Sequence, residues 1–161
     1  MIKKLTLLLL ITLTVRVTSA QVLINEFSAS NLSTFVDNHS DYNDWIELYN
    51  AGTSSVNLGG YYLSDDSLDN TKWQMPASIT IAANGFARFW ASSRNEVIGT
   101  SYHTNFSIKQ TKNNNEWVVL SDPAGVRLDM IEIKQRTQVG HSFGRTTNGA
   151  STWGIFTSPT I

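Results

Sequence analysis

Apolar and polar positions alternate over short stretches of this 161-residue chain, and clusters of turn-forming residues separate those stretches. After residue 20, no window carries apolar residues at helical spacing over three turns. Strict alternation over four to eight residues is instead typical of a half-buried β-strand. The pattern therefore predicts an all-β sandwich of about eight or nine short strands.

The clearest predicted strands are two early segments and one late hairpin. Residues 22–27 and 44–49 are the early pair, and in the second of them Ile46 and Leu48 share one face. The hairpin turns through Asp122-Pro123-Ala124-Gly125, where Pro presets φ and Gly tolerates an unusual backbone. A long polar loop is expected over residues 29–42. Shorter strands are predicted over residues 56–63 (with a bulge at Gly59-Gly60), 72–75, 80–81, 85–90, 105–108 and 153–156.

The first 20 residues follow the pattern of a secretory signal peptide. Lys3 and Lys4 precede an apolar run over residues 5–15, and the segment ends in small residues at Ala20. The run is shorter than the roughly 20 residues that a membrane-spanning helix needs. We therefore expect a signal-peptide helix over residues 1–20, cleavage after Ala20, and export to the periplasm, the cell surface or the medium. Residues 21–161 would then form one domain, with no membrane insertion after cleavage.

Composition narrows the classes of partner and cofactor. The chain has no cysteine, so disulfides and thiolate metal sites are absent. Without the three basic residues of the predicted signal peptide, nine Lys and Arg stand against 13 Asp and Glu. The remaining basic residues are scattered singly, whereas nucleic-acid affinity depends largely on clustered positive charge. We therefore expect neither a nucleic-acid partner nor docking to an anionic membrane, and no feature of the sequence implies a cofactor.

Several blocks of the sequence resemble the lamin-tail domain of exported bacterial proteins. Residues 24–31 (INEFSASN) and 41–50 (DYNDWIELYN) carry the most specific resemblance, and together they are distinctive. Later blocks add to it at residues 58–65 (LGGYYLSD), 72–76 (KWQMP), 103–106 (HTNF) and 142–145 (SFGR). The chain departs from the family pattern at Ser40, where a glycine is common. The resemblance implies an immunoglobulin-like β-sandwich and does not imply a nuclear function.

Two acidic clusters are candidates for a calcium ion, because hard cations take closely spaced carboxylate and amide oxygens. The same residue types also favour loops simply by bonding their own backbone, and we prefer that interpretation. The three histidines lie far apart in sequence and show no metal-ligand spacing. The calcium candidates are Asp37, Asp41 and Asn43 in the long loop, and Asp65, Asp66 and Asp69 further along.

A third polar set falls on the two early strands. If these strands are neighbours, two of the carboxylates would converge, as glycoside hydrolysis or a cation site requires. We prefer a structural network in which these acids satisfy loop amides or pair with Lys72 or Arg145, because such networks also perturb carboxylates. The residues of this predicted network are Asn25, Glu26, Asp44, Glu47 and Arg145.

Three functions remain open from the sequence. The first is a non-catalytic interaction or scaffold module of an exported bacterial protein, with an unknown protein or glycan partner. The second is a carbohydrate-binding module, with or without calcium, that uses tryptophan rings as a stacking platform; we expect most of those rings to lie in the core instead. The third is a small hydrolase using Glu26 with Glu47 or Asp44. The sequence does not define the oligomeric state.

Overall fold

The computed structural model describes residues 21–110, 116–134 and 136–160, and every regular element in these ranges is a β-strand. The strands are β1 (Val22–Ser28), β2 (Trp45–Asn50), β3 (Val56–Asn57), β4 (Tyr62–Ser64), β5 (Trp73–Gln74), β6 (Thr80–Ile81), β7 (Phe86–Trp90), β8 (Glu96–Ile98), β9 (Ser101–His103), β10 (Trp117–Ser121), β11 (Arg127–Glu132), β12 (Ser142–Arg145) and β13 (Trp153–Phe156). In these ranges no helix is long and apolar enough to cross a membrane.

The strands form one large sheet, one small sheet and one short pair. The large sheet has seven strands in the order β13-β12-β1-β2-β7-β9-β8, and the small sheet has four in the order β11-β10-β4-β5. Strands β3 and β6 pair separately. All pairings are antiparallel except β7 with β9, which is parallel. Strand β1 lies against β10 and β11, so the two main sheets stack face to face.

A single apolar core lies between the sheets. Ile24, Leu48 and Phe89 enter it from the large sheet, and Leu63 and Leu120 enter it from the small sheet, all at 0% exposure. Burying a side chain of this size contributes about 1.5–3 kcal/mol relative to leaving it in water. The prediction of an all-β sandwich is confirmed, and its layers are consistent with an immunoglobulin-like arrangement.

The predicted number of strands, eight or nine, was too low, because the chain changes sheets at short intervals. Thirteen strands lie in the described ranges, and six of them have only two or three residues beside short turns. The predicted strand over residues 56–63 is two strands, β3 and β4, which belong to different sheets. Residues 105–108 form only one isolated bridge, Ser92 to Ser107. Strands β8, β9 and β12 were not predicted as strands. The predicted signal-peptide helix lies outside the described residues.

The outer face of the large sheet carries a third layer. Alternation along β2 sends Ile46 and Leu48 into the core, so Trp45 and Glu47 point to the other face. The loop that precedes β2 covers this face, and the ring of Phe35 packs edge-on against Trp45 with 5.6 Å between centroids. The prediction that most tryptophans lie in core or half-buried positions is confirmed. Glu26, Glu47 and Arg88, discussed below, lie on this outer face.

Candidate functional site

Two buried glutamates and an arginine occupy one row across the outer face of the large sheet. Glu26 on β1 pairs in register with Glu47 on β2, and Glu47 pairs with Arg88 on β7. Glu26 is 1% exposed and Glu47 is 0% exposed. We call Glu26, Glu47 and Arg88 the acid row. The predicted convergence of carboxylates from the two early strands is present.

A β-bulge at Asn25 organises one end of this row. The register of β1 against β2 shifts between Ile24 and Glu26, so Asn25 is the extra residue. Its amide donates a 2.8 Å hydrogen bond to Glu47 Oε1 and another of 3.1 Å to Asn148 Oδ1. Its side-chain oxygen Oδ1 accepts the N–H of Gly149 at 3.3 Å. The bulge therefore connects the acid row to the turn between β12 and β13.

The carboxylate of Glu26 is enclosed by donors from the C-terminal part of the chain. Ser142 Oγ donates a hydrogen bond of 2.5 Å to Oε1, and the hydroxyl of Thr160 donates to Oε2. Gly144 lies opposite Glu26 in β12, and a Cβ there would come within 2.8 Å of Glu26 Cγ. The absence of a side chain at residue 144 is what allows Glu26 to lie flat on the sheet.

The buried carboxyl group of Glu47 has a strongly raised pKa. Burial raises its pKa to about 7; the hydrogen bond from Asn25 opposes this rise, the nearby Glu26 adds to it, and Arg88 opposes it. Among the described residues, no donor lies within hydrogen-bonding distance of Glu47 Oε2. A carboxyl group in this state binds a proton near neutral pH, which lowers the cost of enclosing it.

Asp44 lies outside the acid row, although it was predicted with it. Its Oδ1 accepts the backbone N–H of Asn31 at 2.8 Å, which ties the start of β2 to the long loop. Burial raises the pKa of Asp44 to about 6, and the hydrogen bond from Asn31 opposes that rise. It borders a small cleft of about 250 Å³ that Leu32 and Lys109 also line.

Arg145 forms an ion pair, but with a partner that was not predicted. Its Nη2 lies 2.7 Å from Asp129 Oδ2 on the small sheet, and its Nε donates to the carbonyl of Ile24 at 2.7 Å. Asp129 also accepts the N–H of Ile24 at 2.9 Å, so the pair joins the two sheets at the bulge. Of the two alternatives predicted for the early-strand acids, a bond to a loop amide is present at Asp44, whereas the two predicted cations pair elsewhere: Arg145 with Asp129, and Lys72 with Asp65 at 2.5 Å.

The first calcium candidate is a closed hydrogen-bonded turn. Asp37 Oδ1 accepts the N–H groups of His39 and Asp41 at 2.8 and 3.0 Å, and Oδ2 accepts the Asn43 amide at 2.7 Å. Burial alone would raise the pKa of Asp37, but these hydrogen bonds outweigh it and hold the pKa below its usual value. Asp41 pairs with Arg94. These bonds engage both oxygens of Asp37 and one oxygen of Asp41.

The second calcium candidate is dispersed over local turns. Asp65 pairs with Lys72, Asp66 accepts the N–H of Leu68 at 2.9 Å, and Asp69 accepts the N–H of Thr71 at 2.9 Å. Such bonds to the backbone two residues on are the usual reason for acids in turns. The geometry gives the calcium prediction no support at either cluster.

A cluster that the sequence analysis missed lies at the rim of the same outer face. Glu96 on β8 and His103 on β9 are direct cross-strand partners, and His39 reaches them from the long loop. His39 Nε2 lies 2.5 Å from Glu96 Oε1, and the two imidazole rings meet edge to face with 5.5 Å between centroids. We call His39, Glu96 and His103 the rim cluster. The pairing of β8 with β9, which was not predicted, brings Glu96 and His103 together beneath His39 of the long loop.

His103 is the buried member of the rim cluster, at 0% exposure. Its Nδ1 lies 2.8 Å from Ser92 Oγ and its Nε2 lies 2.6 Å from Asn38 Oδ1. Burial lowers the pKa of His103, and the charges of Asp37 and Glu96 oppose that shift. Two side-chain oxygens therefore hold this ring in place.

Together these features define the protein as an immunoglobulin-like β-sandwich domain whose early-strand acids are enclosed by its own chain. The family model described as Lamin Tail Domain matches residues 17–135, and the chain belongs to this family. The resemblance seen in the sequence blocks is thereby confirmed. Strands β12 and β13 lie beyond the matched residues, yet they extend the same sheet by pairing from β1. No curated protein matches the chain.

Proposed function

We propose that this chain is a non-catalytic interaction module of an exported bacterial protein. Its family and its immunoglobulin-like fold are those of an interaction or scaffold domain in general. The observation that carries the proposal is the enclosure of the acid row, in which Glu26 and Glu47 are 1% and 0% exposed. Groups in this position hold the fold together and do not meet a substrate.

Hydrolysis would require a different arrangement of the same carboxylates. A glycosidase needs two carboxyl groups about 5–10 Å apart with the substrate bond between them. Here Asn25 bonds Glu47, Ser142 and Thr160 bond Glu26, and both carboxyl groups are buried, which leaves no space for a substrate between them. The raised pKa of Glu47 would suit an acid catalyst, but structural burial produces the same shift.

Export is proposed from the first 20 residues alone. A basic start, a short apolar run and a small-residue ending are the features that a signal peptidase recognises. The absence of cysteine is compatible with an oxidising compartment, because the domain has a core large enough to fold without disulfides. Processing after Ala20 would leave Gln21 at the start of the exported chain.

A glycan is the second candidate partner, on the strength of one cleft. A cleft of about 420 Å³ lies beside β7 and β9, and the rings of Phe86, Trp90 and Tyr102 line it together with Arg88. The hydroxyl groups of Thr80, Thr100 and Ser101 also reach this cleft. Aromatic faces beside hydrogen-bonding groups are suited to sugar rings, although the same surface also fits an aromatic or acidic side chain of a protein.

One preparation tests these proposals. The full chain is produced in a bacterial host with its own N-terminus, and the intact mass of the exported form should correspond to a start at Gln21. This form should show no turnover of glycoside or peptide substrates above that of the Glu47→Gln variant. Turnover by the wild-type chain that disappears in a folded Glu47→Gln variant would reject a non-catalytic role.

The same preparation, applied to a glycan array, separates the two kinds of partner. Glycan retention that is lost in Tyr102→Ala and kept in Tyr42→Ala would identify the cleft as a sugar site, because Tyr42 is 48% exposed and lies outside it. No retention on any glycan would remove this candidate and leave a protein partner.

A further inference from the structure

The rim cluster combines donor atoms that favour a particular class of ion. It offers two imidazole nitrogens and one carboxylate oxygen, all within 4.8 Å of one another. Imidazole suits zinc, copper, nickel and iron, whereas calcium and magnesium prefer oxygen ligands alone. This donor set therefore differs in kind from the acidic turns that the sequence suggested for calcium.

The spacing of the cluster is close to that of an occupied site. Zinc lies about 2.0–2.2 Å from imidazole and carboxylate ligands in a tetrahedron, so its ligand atoms are roughly 3.4 Å apart. For a zinc ion, the 2.5 Å contact between His39 and Glu96 would open by about 0.9 Å, and the separations from His103, which are at most 4.8 Å, would close by up to about 1.4 Å. The edge-to-face arrangement of the two rings, with 5.5 Å between centroids, allows one nitrogen of each ring to face a common point.

The scaffold holds two of the three ligands in place before any ion arrives. Glu96 and His103 are opposite each other on neighbouring strands, where side chains on one face are about 5 Å apart. Ser92 Oγ lies on Nδ1 of His103 and Asn38 Oδ1 lies on Nε2, so an ion would displace one of these oxygens while the other nitrogen keeps its partner. Partners of this kind orient metal-bound histidines.

The charges around the cluster favour a dication. Asp37 Oδ2 lies 4.0 Å from His103 Nδ1, and Asp41 pairs with Arg94 beside it. With Glu96, three carboxylates stand against one guanidinium, so a divalent ion would balance the formal charge of these groups. The side chains of His39 and Glu96 are 32% and 34% exposed, so an ion from solution can reach them.

We propose that His39, Glu96 and His103 form a binding site for a divalent transition-metal ion of the zinc class. The ion would join the long loop, which carries His39, to the edge strand β8 and its neighbour β9. Occupancy would thereby fix the loop on the rim of the outer face. The site shares no residue with the acid row or with the lining of the proposed partner cleft.

The experiment uses the full chain without an affinity tag, stripped of metal with a chelator. Titration with Zn²⁺ should show one ion per chain, and Co²⁺ should give the visible absorption of a low-symmetry nitrogen and oxygen site. Calcium at millimolar concentration should produce neither signal. At a 100-fold excess of free Zn²⁺ over the dissociation constant, the melting temperature should rise by about 5–10 °C.

Two ligand variants and one matched histidine variant decide the assignment. His39→Ala and Glu96→Gln should each weaken Zn²⁺ binding at least about 10-fold, because even supporting residues of metal sites have effects of that size. His141→Ala should bind as the wild type does, since His141 lies outside the cluster. Absence of Zn²⁺ binding to the folded chain, or binding that the two ligand variants leave unchanged, would overturn the proposal.

Discussion

The acid row and the rim cluster lie on the same face of the same sheet, yet their charged side chains differ in exposure to solvent. The acid row is closed by Asn25, Ser142 and Thr160, and its glutamates have almost no exposed surface. In the rim cluster, His39 and Glu96 keep about a third of their side-chain surface in solvent.

This difference shows that burial, and not residue type, distinguishes acids that stabilise the fold from acids that can bind a ligand. A buried carboxylate must be neutralised, paired or hydrogen-bonded, so its chemistry is committed to the fold. A half-exposed group at a sheet edge keeps its lone pairs available to a ligand. The comparison predicts that changes in the acid row alter global unfolding, whereas changes near the rim cluster alter local opening of the loop.

The largest expected effect is the pH dependence that Glu47 imposes on the acid row. Its pKa is raised from 4.5 to about 7 in the folded state. The folded state therefore binds this proton more tightly, and the stabilisation is complete below pH 4.5 and lost as the pH rises through about 7. At about 1.4 kcal/mol per pKa unit, the free energy of unfolding should fall by up to about 3 kcal/mol from this group alone.

Urea denaturation at pH 5 and pH 8 measures this fall in the wild type and in Glu47→Gln. The amide resembles the protonated acid in shape and keeps an oxygen for Asn25, so most of the fall should disappear in the variant. Asp44 contributes a smaller fall in the same direction up to about pH 6, which both proteins retain. Glu132→Gln is the control, because Glu132 is partly exposed and pairs with Lys134. An equal fall in wild type and Glu47→Gln would mean that Glu47 is not held in a proton-binding environment.

The sequence predicted the sandwich and most of the acid row for one physical reason: both depend on local alternation. Ile46 and Leu48 share a face with a period of two, and the same period puts Glu47 on the opposite face. The hairpin from β10 to β11 was predicted from its turn residues, and Gly125 in that turn has a positive φ of 76°. These features need no knowledge of the distant chain.

The parts that could not be predicted depend on pairings between distant strands. Arg145 meets Asp129 only because β11 and β12 lie on different sheets that meet at the bulge of β1. The rim cluster requires the parallel pairing of β7 with β9, followed by the short strand β8. Strands of three residues show too little alternation to identify, so the spacing of His39, Glu96 and His103 in sequence gave no signal.

A smaller effect on stability is expected at Gly144, which lies opposite Glu26 on the neighbouring strand. A Cβ at this position would lie 2.8 Å from Glu26 Cγ, 3.0 Å from its Cβ and 3.1 Å from the carbonyl oxygen of Asn25. Two of these atoms belong to a strand and cannot move alone, so Gly144→Ala should cost about 2 kcal/mol of unfolding free energy.

Gly154→Ala is the matched control, because Gly154 is the cross-strand partner of Gly144 on β13. Its added Cβ would meet only Thr146 Cγ2, at 3.4 Å, so the control should be neutral or slightly stabilising. Chemical denaturation of both variants at one pH measures the contrast. Equal stability of the two variants would show that Glu26 does not require a glycine at residue 144.

The smallest expected effect concerns the loop that presents His39 to the rim cluster. Asp37→Ala removes the acceptor for the N–H groups of His39 and Asp41, so protection of these amides from hydrogen exchange should fall about 10-fold, with a much smaller change in global unfolding. The matched control, Asp69→Ala, breaks a similar bond to Thr71 in an exposed turn and should leave the long loop unchanged.

The pH dependence of this loop should also run opposite to that of the acid row. Because the pKa of Asp37 is lowered in the folded state, its stabilisation is present above its ordinary value of 3.8 and is lost as the pH falls through the lower folded value. The protection that Asp37 itself supplies, measured as the difference between the wild type and Asp37→Ala after correction for intrinsic exchange rates, should therefore stay constant from pH 5 to pH 8, while the Glu47 contribution declines over that range. A loop that loosens in parallel with global unfolding would show that the two regions form one cooperative unit, and the distinction between enclosed and available charge would then not extend to their stability.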